Sequence, residues 1–189
     1  MSDPCHVQIV LGSTRQGRMS PTVGSWVARH VAQRDDMTVE IVDLLDHVLP
    51  HYDDPGQPLT GQIAPQAEGF VATLDRADAF VFVTPEYNHG MTGVLKNAID
   101  HAFFPWRRKP AGYVGYGGLG ATRAVEQLRL VNLTAGMAPL GMGVHVSNHR
   151  EAFDAEGNMT NPAMDAMLDR MLGDLSWWAH ALRTARRAG

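Results

Sequence analysis

The sequence predicts a doubly wound α/β fold, with a five-stranded parallel sheet and helices on both faces. Short, nearly continuous apolar runs recur along the chain, as strands buried on both faces require. Between them lie stretches whose apolar residues fall at helical spacing. The length agrees: 189 residues with 44% apolar side chains can bury one ordinary core, so residues 1–189 are expected to form a single domain.

The first strand is read at 7–11, an apolar run that ends in Gly12 and Ser13. A helix follows from Pro21, with Val23, Trp26, Val27 and Val31 on one face; Ser20 before Pro21 reads as its hydroxyl N-cap. A second strand is expected at 38–43, then a loop rich in Pro and Asp through residue 58, then a weaker helix over 63–77 around Phe70, Val71 and Leu74. The run at 79–83 is the clearest strand. After a loop at 84–90, Leu95, Ala98, Ile99 and Ala102 share one helical face that Pro105 brings to an end. Residues 111–116, 121–135 and 143–146 read as strand, helix and fifth strand, and a last helix starts near Pro162 with Asn161 as cap.

Composition excludes several classes of function. Net charge is −4, which gives no broad electropositive field for a phosphate backbone, so nucleic acid is not an expected partner. No apolar stretch reaches the ~18 residues of a membrane span, and no basic segment precedes the first apolar run, so a cytoplasmic protein is expected. The single Cys5 offers no intramolecular disulfide and no CxxC pair. His47 and His51 stand four apart, but Pro50 argues against one helix presenting both to a metal, and none is expected. Met164, Met167 and Met171 read as a core stripe, and Arg183, Arg186 and Arg187 suit a helix C-terminus.

Three loops lie at strand C-terminal ends, where open α/β sheets bind ligands. The first carries Gly12, Ser13, Arg15, Gln16, Gly17, Arg18 and Ser20 ahead of a helix N-terminus. Glycines let the backbone curl while hydroxyls, guanidiniums and free helix N–H groups converge on an anion. Gly12 and Gly17 have Walker spacing, but Arg18 and Met19 replace the lysine and the metal-binding hydroxyl, so a metal-free phosphate monoester fits better than a nucleoside triphosphate. The alternative is a solvated polar loop in which Ser20 only caps. The second loop holds Pro85, Glu86, Tyr87, Asn88, His89 and Gly90, a composition that by itself signals only a turn. In the third, Gly115, Gly117 and Gly120 form a GxGxxG pattern with no acidic residue about twenty positions on, which suits a glycine wall beside a flat ligand better than a dinucleotide fingerprint.

GSTR followed by RMS and a helix, then PEYN, LKNAID and the glycine-rich turn together resemble the NADPH-dependent FMN reductase family of the flavodoxin-like fold, over roughly residues 6–146. The resemblance implies strand order 2-1-3-4-5 and an FMN over the carboxyl edge of the sheet. It implies that Ser13, Arg15 and Ser20 hold the phosphate with help from Arg18 and Gln16. The backbone of Pro85, Glu86, Tyr87 and Asn88 would address the polar edge of the ring, and Gly117, Gly118 and Gly120 would line its other side. Thr92, Arg18 and Ala121 depart from the family's common proline, small polar residue and glycine at these positions. The activity implied is transfer of reducing equivalents from NADPH or NADH through FMN to a quinone, azo compound, free flavin or metal ion by ping-pong turnover. The flavin carries the chemistry, so no acid–base residue is named. The alternative is a non-enzymatic, FMN-binding electron carrier of flavodoxin type.

Two further segments carry expectations. Arg107, Arg108 and Lys109 read as a solvated face or as a contact for the extra phosphate of NADPH. Phe103, Phe104, Pro105 and Trp106 read either as a lid folded onto the domain's own core or, as the resemblance favours, as an anchor in a homodimer or homotetramer interface beside the flavin.

Overall fold

A computed structural model describes residues 3–53, 56–57 and 62–189. Its main sheet is built from β1 (Cys5–Leu11), β2 (Met37–Asp43), β5 (Ala79–Pro85), β6 (Pro110–Gly117), β7 (Ala138–Pro139) and β8 (Val144–Ser147). β3 (Gly56–Gln57), in the segment read as loop, pairs antiparallel with β4 (Gln62–Ile63), whose Ile63 falls where a helix is expected to begin; residues 54–55 and 58–61 lie outside the described residues. The strands run in the order β2-β1-β5-β6-β7, all parallel, with β8 also paired to β6. β7 pairs with the start of β6 and β8 with its end, so the single fifth strand expected at 143–146 is one sheet position filled by two short strands. The break has a physical cause: Arg129 donates to the carbonyls of Leu140 (3.1 Å) and Gly141 (2.9 Å) between the two.

The helices are α1 (Ser20–Ala32), α2 (Glu68–Asp75), α3 (Gly93–His101), α4 (Thr122–Thr134) and α5 (Pro162–Ala188). Alternation along the strands sends Val7, Ile9 and Val81 into a core under α1 and α5, and Val10, Phe80 and Phe82 into a second core under α2, α3 and α4. Asn161 caps α5 as expected, accepting from the Ala163 amide at 3.0 Å. The helix expected over 63–77 is shorter: a 3₁₀ turn at Pro65–Ala67 precedes α2. Ser20 is not the N-cap of α1. Met19 holds that position without a side-chain bond, and Ser20 is already helical, its hydroxyl donating to the Ser13 carbonyl at 3.3 Å.

Lys109 departs from both readings given for its segment, and Trp106 follows the reading that folds its cluster onto the domain's own core. Lys109 is buried, and its ammonium donates to the carbonyls of Leu74 (3.1 Å) and Asp75 (3.2 Å) at the C-terminal end of α2; burial pulls its pKa down to about 8. It belongs neither to a solvated face nor to a nucleotide contact. Trp106 is likewise fully buried, against Phe80, Phe82 and Phe70, and its indole donates to the Ile99 carbonyl at 3.1 Å. It is a core residue of its own chain, while Phe104 stays 45% exposed.

Candidate functional site

β1 and β5 are neighbours from which the chain departs to opposite faces of the sheet, so the loops after them open onto one crevice. Short tethers join them. Gly12 donates to the Val83 carbonyl at 2.8 Å, and a Cβ at Gly12 would meet Leu95 Cδ2 at 2.9 Å. Thr92 donates to the Gly12 carbonyl at 2.5 Å and caps α3 by accepting from the Leu95 amide at 3.1 Å.

The crevice has a volume of about 350 Å³. Arg15, Gly17, Arg18 and Met19 of the first loop line one side; Pro85, Glu86 and Tyr87 of the second, with Tyr116, Gly117 and Gly118 of the third, line the other. Ser13 is buried at its edge, sharing a 2.9 Å hydrogen bond with the Tyr87 hydroxyl. The Arg15 guanidinium lies 5.7 Å from the Tyr87 ring centre with no ion-pair partner among the described residues.

Arg18 is differently placed. It grips Asp43 at the end of β2 through two bonds of 2.7 and 2.6 Å and donates to the Ser13 carbonyl at 2.6 Å. The bond to Asp43 pushes the guanidinium pKa up despite partial burial. Arg18 therefore shapes the loop while its charge is neutralised by Asp43. Gln16 is exposed and not part of the crevice wall.

The Glu86 side chain turns away to α4, accepting from the amides of Arg123 (3.2 Å) and Ala124 (3.4 Å) and pairing with the Arg123 guanidinium. Burial raises its pKa, but those donors outweigh it and hold the carboxyl below the usual range. Tyr87 and Gly90 exchange backbone hydrogen bonds of 3.0 and 3.1 Å around Asn88 (φ 49°) and His89 (φ 73°), a tight turn that puts Asn88 at its tip, outside the crevice wall. His89 contributes its carbonyl to Gln127 at 3.0 Å.

The three glycines of the third loop divide by role. Gly117 and Gly118 face the crevice, where an added Cβ would meet nothing closer than 3.9 Å. At Gly120 it would strike His145 of β8 at 2.8 Å, and φ is +64°, so this glycine is needed for packing. Ala121 stands where the family often has glycine and keeps the left-handed conformation at φ 54°.

Tyr116, His149 and Arg150 also line the crevice and were not singled out from sequence. The Tyr116 hydroxyl is buried beside Ser20 and Ser13 but hydrogen-bonded to neither, and burial pushes its pKa up to about 12, so it is a neutral donor. Extending the rule of strand C-terminal loops to the fifth sheet position would have found His149 and Arg150. A phenol donor, an unpaired guanidinium and a side-chain-free glycine wall in one crevice fit a flat ligand with an anionic tail. A hollow larger than this crevice, about 410 Å³ between α3 and α4, is lined mainly by apolar side chains such as Ile99, Phe103 and Leu130 and lacks this convergence of donors.

Comparison with known proteins agrees. The family model for NADPH-dependent FMN reductase matches residues 5–151. An NAD(P)H-dependent FMN reductase of Schizosaccharomyces pombe is 37% identical over 128 residues, 66% of this chain and 64% of that protein, so the match spans just under two thirds of that relative's length. One of Pseudomonas aeruginosa is 33% identical over 190 residues, 97% of this chain and 100% of that one. Among solved structures, the flavoenzyme NAD(P)H:(acceptor) oxidoreductase FerB of Paracoccus denitrificans superposes with a TM-score of 0.77 at 26% identity, covering 94% of this chain and 98% of its own. With the flavodoxin-like strand order and the crevice at its switch point, these matches show that the chain belongs to the NADPH-dependent FMN reductase family.

Proposed function

We propose that this chain is an FMN-dependent NAD(P)H oxidoreductase that passes reducing equivalents to a small acceptor: a quinone, azo compound, free flavin or metal ion. The observation that carries the reading is the convergence of the loops after β1, β5 and β6 on one crevice, with a donor-rich end at Ser13 and Arg15 and a glycine wall at Gly117 and Gly118. FMN, when bound, supplies reversible storage of a hydride, chemistry that no side chain offers. The chain's own residues would bind and orient: Arg15 and the amides ahead of α1 would hold the phosphate beside Ser13, and the backbone of Pro85, Glu86 and Tyr87 would face the polar edge of the ring. Cytoplasmic NAD(P)H would supply the hydride, and no helix among the described residues is long and apolar enough to cross a membrane.

Reconstituted protein is expected to show a flavin absorbance that bleaches with NADPH and recovers on adding a quinone. Both substrates use one exposed flavin face in this reading, so initial-rate plots at several acceptor concentrations should be parallel. Bleaching without turnover would mark an electron carrier instead, and intersecting lines would require two simultaneous sites.

Assembly as a homodimer or homotetramer fits the outer face of α3 and α4. Leu130 (69% exposed) lines the 410 Å³ hollow there, and Leu133 (60%) of α4 and Phe104 are exposed as well. Sedimentation at micromolar concentration should give a dimer or tetramer, and a monomer would refute this assembly.

A further inference from the structure

The first loop is short of positive charge for the ligand it is read to bind. A phosphate monoester carries about −1.5 to −2 near neutral pH. Of the two arginines in that loop, Arg18 is neutralised by Asp43 at 2.6 to 2.7 Å, which leaves Arg15 alone. The segment after β8 reaches the same crevice with Arg150, whose guanidinium has no hydrogen-bond or ion-pair partner among the described residues, and with His149.

His149 and Tyr116 meet at the floor, their ring centres 5.7 Å apart. The Nδ1 of His149 and the hydroxyl of Tyr116 are both buried without a hydrogen-bond partner. Two unsatisfied polar atoms in contacting side chains of one crevice call for a partner with oxygens to share between them. The segment is held in place on either side. Glu151 donates its amide to the Asn148 carbonyl at 2.8 Å, Thr160 to the Ala152 carbonyl at 2.9 Å, and Phe153 packs on Trp26 of α1 at 5.8 Å. Behind Gly118 a side hollow of about 210 Å³, lined by Asn148, His149, Arg150 and Glu151, adjoins the crevice.

We propose that residues 147–152 form a second phosphate-binding arm, in which Arg150 supplies the charge that Arg18 cannot and His149 with Tyr116 supplies further hydrogen-bonding atoms. Its ligand is a phosphate monoester, either the 5′-phosphate of FMN or the 2′-phosphate of NADPH. This rests on the FMN reading of the crevice and adds a fourth wall to it that the PEYN and glycine motifs do not contain.

The test compares the full-length wild type with Arg150→Ala, His149→Ala and Tyr116→Phe. Two ratios are read: affinity for FMN over riboflavin, from quenching of flavin fluorescence by the apoprotein, and KM for NADH over NADPH in the reconstituted enzyme. A fall of about tenfold or more in the first ratio for Arg150→Ala assigns the arm to the FMN phosphate, and the same fall in the second assigns it to the 2′-phosphate. His149→Ala and Tyr116→Phe should lower the same ratio by a smaller factor. If both ratios stay within about twofold of wild type in Arg150→Ala and His149→Ala, the arm does not bind phosphate. A wild type that binds FMN no better than riboflavin overturns the FMN reading itself, and this inference with it.

Discussion

Trp106→Ala should lower the unfolding free energy by about 3–5 kcal/mol, because it empties the centre of the core beneath α2, α3 and α4. The ring lies 4.7 Å from Phe80, 5.8 Å from Phe82 and 6.4 Å from Phe70, centre to centre. Its neighbours stand on β5 and α2, elements that cannot both close on the void. The Ile99 carbonyl, at the end of α3, also loses the shorter of its two donors and keeps only the Ala102 amide at 3.3 Å. In a chain of this size the loss corresponds to a fall in Tm of roughly 6–20 °C. Trp106→Phe should cost less, since it keeps most of the apolar volume and gives up the hydrogen bond. Denaturant titration checks both variants. A loss below about 1 kcal/mol in Trp106→Ala, with only the association state changed, would restore the interface role that the sequence suggested.

Trp106 shows where local sequence stops being informative. Phe103 to Trp106 is an aromatic cluster beside a proline, and such a cluster reads the same whether it faces inward or outward. Only the 3₁₀ turn at Phe104–Trp106 decides it, turning Trp106 into the core and leaving Phe104 outside against Arg107. Lys109 has the same history: three consecutive cations look solvated, but β6 begins at Pro110 and carries the lysine under the end of α2. Strands β1 and β5 were legible because a parallel strand buried on both faces has to be apolar at nearly every position. The first-loop motif was legible because its glycines and hydroxyls are adjacent in sequence.

The partners that decide what the motif residues do are remote in sequence. Asp43 claims Arg18 from the end of β2, and α4 claims Glu86 from 37 residues away. His149 and Arg150 carry no pattern of their own and become visible only when the segment after β8 folds back beside Tyr116. Ser20 illustrates the reverse error. Serine before proline is a sound capping signal, but here the hydroxyl is drawn inward to the Ser13 carbonyl, so the helix starts one residue early.

Arg15→Ala should weaken FMN binding by about 1.5–3 kcal/mol, one to two decades in Kd, while leaving thermal stability and riboflavin binding unchanged. The two halves of that expectation rest on different facts. Arg15 is exposed with its guanidinium over the face of Tyr87, and among the described residues its side chain makes no hydrogen bond or ion pair that removal would break. It is also the only arginine of its loop whose charge no carboxylate neutralises, so the phosphate loses its nearest unopposed cation. Arg18→Ala provides the contrast. It strips three bonds from the loop, releases Asp43 and leaves the Ser13 carbonyl with only the 3.3 Å bond from Ser20, so it should lower the melting temperature as well as FMN affinity. Arg15→Lys should recover part of the binding, because a lysine restores the charge without the planar fork that matches phosphate oxygens. Fluorescence titration with FMN and riboflavin, run beside thermal melts of each variant, separates these roles. Equal FMN affinity in Arg15→Ala and wild type would remove Arg15 from the phosphate site.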